Sequence, residues 1–136
     1  MFSDVNEIAV VVTALLCIAV GSIWYSPLVF GKYWMSAARL TAEDLSMTRS
    51  FLIRSLTYAG VANIVFVYVI ARLIARVAPE QFSLVTQGGL LILLIAASMA
   101  SVVVWEKKSF IYLAIHIGYV SLVVCTSIVV LSLWPW

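Results

Sequence analysis

The chain has 136 residues, 65% of them hydrophobic and 10% charged, with a mean hydropathy of +1.15 and a formal net charge of +2. That make-up lies far outside the range of a soluble domain. Four crossings of a hydrocarbon layer about 30 Å thick, at about 20 apolar residues each, leave no room for a separate catalytic domain. The basic residues are spread among helix ends and form no stripe, which excludes a nucleic-acid-binding footprint.

The first apolar run extends from Val5 to Trp24. Asp4 and Glu7 precede or open it, with no Lys or Arg, so a membrane span is expected and not a signal peptide. Next comes W-Y-S-P-L-V-F-G-K-Y-W, with Trp24, Tyr25, Ser26, Pro27, Gly31, Lys32 and Trp34 as its marked residues. Pro27 disfavours helical geometry at Ser26, Gly31 frees the backbone for a turn, and the aromatics with Lys32 suit the headgroup level. The expectation is a helix end followed by a short interfacial segment; the alternative is a re-entrant loop lining a pathway. Thr41-Ala42-Glu43-Asp44 then has the form of a capping box, Thr41 capping and Asp44 three residues on. A helix is expected to start there, along the interface or into the next span.

Three further spans are expected at Leu52 to Ile74, Leu84 to Trp105 and Phe110 to Leu133. In lipid these must be helices, since backbone groups there have no water to bond. The fold class is therefore all-α: one domain, residues 1–136, forming an integral membrane bundle of four transmembrane helices with the interfacial segment after the first. Lys32, Arg39, Arg49, Arg54, Lys107 and Lys108 lie on the side of the first and third loops, against Arg72 and Arg76 on the other. This asymmetry places loops one and three in the cytoplasm and both termini outside it. Trp24, Tyr25, Tyr33, Trp34 and Trp105 are expected at the cytoplasmic interface, and Trp134 and Trp136 at the opposite one.

The segment Trp24 to Trp34, the following Leu40-Thr41-Ala42-Glu43-Asp44-Leu45, and the stretch from Trp105-Glu106-Lys107 through Gly118-Tyr119 together resemble the domain of unknown function 1761 family of small bacterial membrane proteins. The resemblance implies a four-helix membrane fold, residence in the bacterial inner membrane and no established activity. Where the family often has Asn-Ala-Gly-Tyr, this chain has His116-Ile117-Gly118-Tyr119.

On the 3.6-residue repeat, the fourth span carries Ala114, Gly118, Ser121 and Cys125 on one face and Tyr112, His116, Tyr119 and Ser127 on the opposite one. Small residues let helices approach closely. The first face is thus the expected packing seam, with Thr13, Cys17 and Gly21 as a similar face on the first helix. Ser98, Cys17 and His116 each lie about seven residues, or about 10 Å, inside the cytoplasmic ends of their helices. They are candidates for one polar layer, with Asn63 deeper and Tyr112 and Tyr119 on the same face as His116. The plainer reading of that layer is interhelical hydrogen bonding, worth about 0.6 kcal/mol on average.

His116, the only histidine, can serve as a hydrogen-bonded packing residue, as a proton-sensitive switch or as an axial ligand to haem or pigment. Bulky Tyr112 one turn earlier crowds the approach of a flat macrocycle, so no cofactor is expected. Catalysis is not expected either: no span holds a carboxylate, and neither a Ser-His-Asp set nor metal-ligand spacing occurs. Cys17 and Cys125 are offset by about 12 Å along the bundle and should not meet. Two functions fit: an accessory subunit packing in a larger membrane complex, in contact with lipids and with other subunits or its own copies, or a homo-oligomeric channel or transporter with an uncharged polar path. Ion-coupled transport normally places ionisable groups in the membrane, so the accessory subunit is preferred.

Overall fold

The computed structural model describes residues 5–41, 43–44, 49–76 and 83–134. Five helices follow in chain order: α1 (Glu7–Trp24), α2 (Gly31–Ala38), α3 (Arg49–Arg76), α4 (Leu84–Trp105) and α5 (Phe110–Leu133). All but α2 are long and apolar enough to cross a membrane. At 1.5 Å per residue their lengths are about 27 to 42 Å, enough for the hydrocarbon layer. The helices α4 and α5 coincide with the third and fourth expected spans, while α3 is longer than its expected span at both ends.

The starts of α1, α4 and α5 have a local cause. The Asn6 side chain accepts the N–H groups of Ile8 and Ala9 at 3.0 and 3.1 Å, and Ser83 and Ser109 accept those of Thr86 and Tyr112, both at 3.2 Å. These bonds use donors that a helix start otherwise leaves unpaired. After α1 the chain reverses at Pro27. Ser26 O accepts the N–H groups of Val29 at 3.1 Å and Gly31 at 2.9 Å, and Trp24 O accepts that of Phe30 at 3.1 Å. Proline at the second position of such a turn presets its φ. The result is a helix end followed by a short second helix, as expected for an interfacial segment.

The helices α2 and α4 end alike. Arg39 and Lys107 adopt left-handed backbone, φ 60° and 53°. Leu40 N–H returns to Met35 O, and Lys108 N–H to Val103 O, which is the paired closure that usually selects glycine. Here it sets three cations, Arg39, Lys107 and Lys108, at one end of the bundle. The Lys108 ammonium also donates to Ala38 O at 3.2 Å, tying the start of α5 to the end of α2.

The Thr41 box forms as expected. Thr41 donates its N–H and its hydroxyl to the Asp44 carboxylate, both at 2.7 Å, and the Asp44 N–H returns to the Thr41 hydroxyl at 3.2 Å. These two donors hold the Asp44 carboxyl below the usual carboxylate range. Residues 45–48, where a helix start would continue, lie outside the described residues, as do Ala42 and Trp136.

The central helix is α5, which packs on all the others; α1 packs on α3 and α5, and α4 chiefly on α5. The core is built from Ala9, Val10 and Cys17 of α1, Val67, Ile70 and Ala71 of α3, and Val123, Val124 and Leu131 of α5. Thr13 and Ser127 are buried beside them. Trp134, expected as an interfacial anchor, packs partly buried against this core, whereas Trp105 is 85% exposed.

One expectation is corrected. Thr13, Cys17 and Gly21 do form the packing face of α1, but they meet Tyr119, Val123 and Ser127 and not the small-residue stripe of α5. Ala114 and Cys125 are exposed, Ser121 bonds back to Ile117 O at 2.8 Å, and Gly118 lies against Trp24. Each close approach pairs one bare position with one ring, Gly21 of α1 with Tyr119 and Gly118 of α5 with Trp24, and not one small-residue stripe with another.

Candidate functional site

The polar and aromatic groups singled out in the sequence converge where α1, α2 and α5 meet at the basic end. Tyr25 is the hub: its ring centroid lies 5.3 Å from Tyr119, 5.4 Å from Trp34 and 5.7 Å from His116. The Pro27 turn carries α2 back so that Trp34 covers Tyr25, while His116 and Tyr119, three residues apart, share one face of α5. Tyr112 stacks on His116 at 4.3 Å. The Lys108 ammonium stands 5.8 Å from the Tyr112 ring centroid, within cation–π range.

Two glycines permit this density from opposite sides. A Cβ at Gly21 would lie 3.0 Å from the Tyr119 ring, and one at Gly118 would lie 2.7 Å from the Trp24 indole. Each helix thus offers a bare patch to the other's aromatic ring. Trp24 then donates its indole N–H to Ile115 O at 3.1 Å and packs on Phe30 at 4.4 Å. The Trp34 indole nitrogen is buried and has no hydrogen-bond partner among the described residues.

His116 Nδ1 lies 3.0 Å from Tyr112 O. A carbonyl can only accept, so Nδ1 carries the proton and Nε2 keeps a lone pair. The tyrosine rings at 4.3 and 5.7 Å occupy space that a flat macrocycle would need beside the imidazole. Further into the bundle Tyr119 and Asn63 lie together. Both line a recess of about 190 Å³ together with Phe66 and Val123, and the Asn63 amide also donates to Ala59 O at 2.9 Å.

Of the expected polar residues, the structure therefore gathers His116, Tyr112 and Tyr119, with Asn63 beside the last. It does not gather the layer of His116, Ser98 and Cys17. Cys17 Sγ faces Ser127 Oγ at 3.7 Å and Val123 O at 3.9 Å, while Ser98, on an exposed face of α4, donates to Ile95 O of its own helix at 2.8 Å. Both cysteines are free, Cys17 buried and Cys125 exposed. The reading from sequence missed the central place of Tyr25, the Trp24 bond to α5 and the Lys108 bond to α2. The Pro27 turn was the only signal for the first, because it implies that the chain folds back on the end of α1.

Chemically, the cluster offers one imidazole, three phenols and two indoles. Among the described residues no group of three His, Cys, Asp or Glu side chains is placed to hold a metal ion. Among the described residues, four apolar helices long enough to cross a membrane mark the chain as a small multi-pass helical membrane protein by length and composition. The family model for "Protein of unknown function (DUF1761)" matches residues 8–132, nearly the whole chain, and the chain belongs to that family. No curated protein and no solved structure matches it.

Proposed function

We propose that the protein is an accessory subunit of a larger membrane assembly, with no reaction chemistry of its own. The observation that carries this reading is the bareness of α4. It packs chiefly on α5 and presents a long apolar face, with Leu93 64% and Leu94 68% exposed, in line with Leu90 and Val104. The polar side chains of the spans point the same way, because they are satisfied locally: Thr13 donates to Ala9 O, Thr57 to Ile53 O and Ser127 to Val123 O, at 2.7 to 2.8 Å. A hydroxyl bonded to its own helix has its donor already used and contributes little to a conducting path. The excess of Lys and Arg in loops one and three supports an orientation with those loops in the cytoplasm and both termini outside it, and the membrane is taken as a bacterial inner membrane.

A photoreactive residue at Leu94, in the full chain expressed in its own membrane, tests the reading. It predicts a crosslinked adduct of discrete protein mass; adducts with lipid alone refute it. The competing reading, a homo-oligomeric channel or transporter, draws on the succession Lys108, Tyr112, His116, Tyr25, Tyr119, Asn63. That succession ends against the buried core residue Val123. Flux of a small neutral solute into vesicles containing only this protein, lost in Asn63→Leu, would favour it.

A further inference from the structure

At the end of the bundle that carries the basic loops, outside the aromatic cluster, the closures of α2 and α4 face each other across a recess of about 340 Å³. Its cations are Arg39, Lys107 and Lys108, and its hydroxyls come from Tyr33, Ser36 and Ser109; no carboxylate lines it. Glu106, next to Lys107 in sequence, is exposed and is not among the lining residues. Arg39 and Lys107 project from the backbone of the two helix closures, which the paired hydrogen bonds hold in place. Lys108 uses one of its three donors on Ala38 O, which leaves two for another acceptor.

Tyr33 and Ile111 also line a second, larger groove of about 560 Å³, which places the two cavities side by side. The lining of this groove is mostly apolar: Trp24 and Phe30, with Ile111, Ala114, Ile115 and Gly118 of α5. A recess with three cations beside an apolar groove on a membrane-length helix matches a molecule with an anionic head and a hydrocarbon tail. We propose that this is a binding site for one anionic phospholipid: its phosphate takes the Arg39, Lys107 and Lys108 donors, and an acyl chain lies in the groove against Trp24 and Ile115. The argument is one of charge and shape complementarity. A soluble phosphate compound would leave the groove unfilled, and a zwitterionic headgroup would bring its own cation into a recess that already holds three.

The test uses the full chain in a mild non-ionic detergent, titrated separately with dioleoyl phosphatidylglycerol, dioleoyl phosphatidylcholine and glycerol 3-phosphate, with bound molecules counted by native mass spectrometry. The expected result is one phosphatidylglycerol retained per chain, at about ten-fold lower concentration than phosphatidylcholine requires. The triple variant R39Q/K107Q/K108Q should abolish that preference. K32Q/R49Q/R54Q removes the same charge from residues that do not line the recess, and should leave the preference within about two-fold if the effect is local and not a diffuse surface attraction. Ala114→Phe, which adds bulk at an exposed position of the groove, should weaken lipid retention while circular dichroism shows the helices intact. Four outcomes overturn the proposal: equal loss in both triple variants, equal retention of the two lipids, glycerol 3-phosphate binding as well as the lipid, or a second copy of the chain that excludes the lipid.

Discussion

Replacing Gly31 by alanine is expected to destabilise the protein far more than the same change at Gly89. A Cβ at Gly31 would lie 2.4 Å from Tyr25 O and 2.7 Å from Ser26 C and O. These are backbone atoms, so no side-chain rotation can relieve the overlap. They are also fixed in place, since Ser26 O accepts from both Val29 and Gly31 and the Phe30 N–H is held by Trp24 O. Overpacking of this kind costs about 1–3 kcal/mol, and opening one of the turn's hydrogen bonds costs about 1 kcal/mol more. The better helix propensity of alanine offsets about 1 kcal/mol, so a net loss of about 1–3 kcal/mol is expected. At Gly89 nothing lies within 4 Å of the added atom, and only the propensity gain of up to about 1 kcal/mol remains. Unfolding in mixed micelles with rising sodium dodecyl sulfate, followed by circular dichroism and tryptophan fluorescence, measures both. If the two variants unfold within about 0.5 kcal/mol of each other, the ordinary scatter of surface substitutions, the tight Pro27 turn is refuted as the element that positions the aromatic cluster.

Other predictions concern single interactions. Ser109→Ala removes the cap of α5 and should cost about 1 kcal/mol in the same unfolding assay, with Ser109→Gly costing only a few tenths. Thr13→Val should change stability by less than about 1 kcal/mol, because the lost hydroxyl bond runs within α1; a larger loss would mean that Thr13 holds two helices together. The Thr41 box should depend on pH in a definite direction. Its carboxyl is held below the usual range, so its contribution is fully present above the unfolded-state carboxylate pKa and is lost as pH falls through the depressed folded value. Protection of the Thr41 amide against exchange, taken relative to the intrinsic rate at each pH by NMR, should therefore be lost only below the usual carboxylate range, and Asp44→Asn should show reduced protection above it.

The four spans were legible because a membrane demands long apolar runs and the basic residues mark where these stop. The helix break at Pro27 was legible for the same local reason. Rotation about each helix axis was not. Every face of α1, α4 and α5 is apolar enough for lipid, so periodicity alone could not tell the lipid face from the packed one, and the small-residue rule selected Ala114 and Cys125, which are exposed. The choice is made by fit between two helices, as where Gly21 admits the Tyr119 ring, and that is a property of the pair. Depth was misjudged for a related reason. The α1 helix stops early at the Pro27 turn, so its last residue, Trp24, lies level with Ile115 to Gly118 and not with the start of α5 at Phe110. Counting inward from helix ends therefore set Cys17 against His116, whereas the register sets it against Val123 and Ser127. The cations Arg39, Lys107 and Lys108 were read only as markers of orientation, because their convergence depends on the left-handed closures of two helices far apart in sequence.

The central claim, that the protein packs in a larger assembly and performs no chemistry or conduction of its own, is tested most directly by native mass spectrometry of the protein extracted from its own membrane in mild detergent, with an absorption spectrum of the same sample. The account predicts a colourless complex containing foreign membrane subunits in fixed stoichiometry. A homo-oligomer of this chain alone would contradict it.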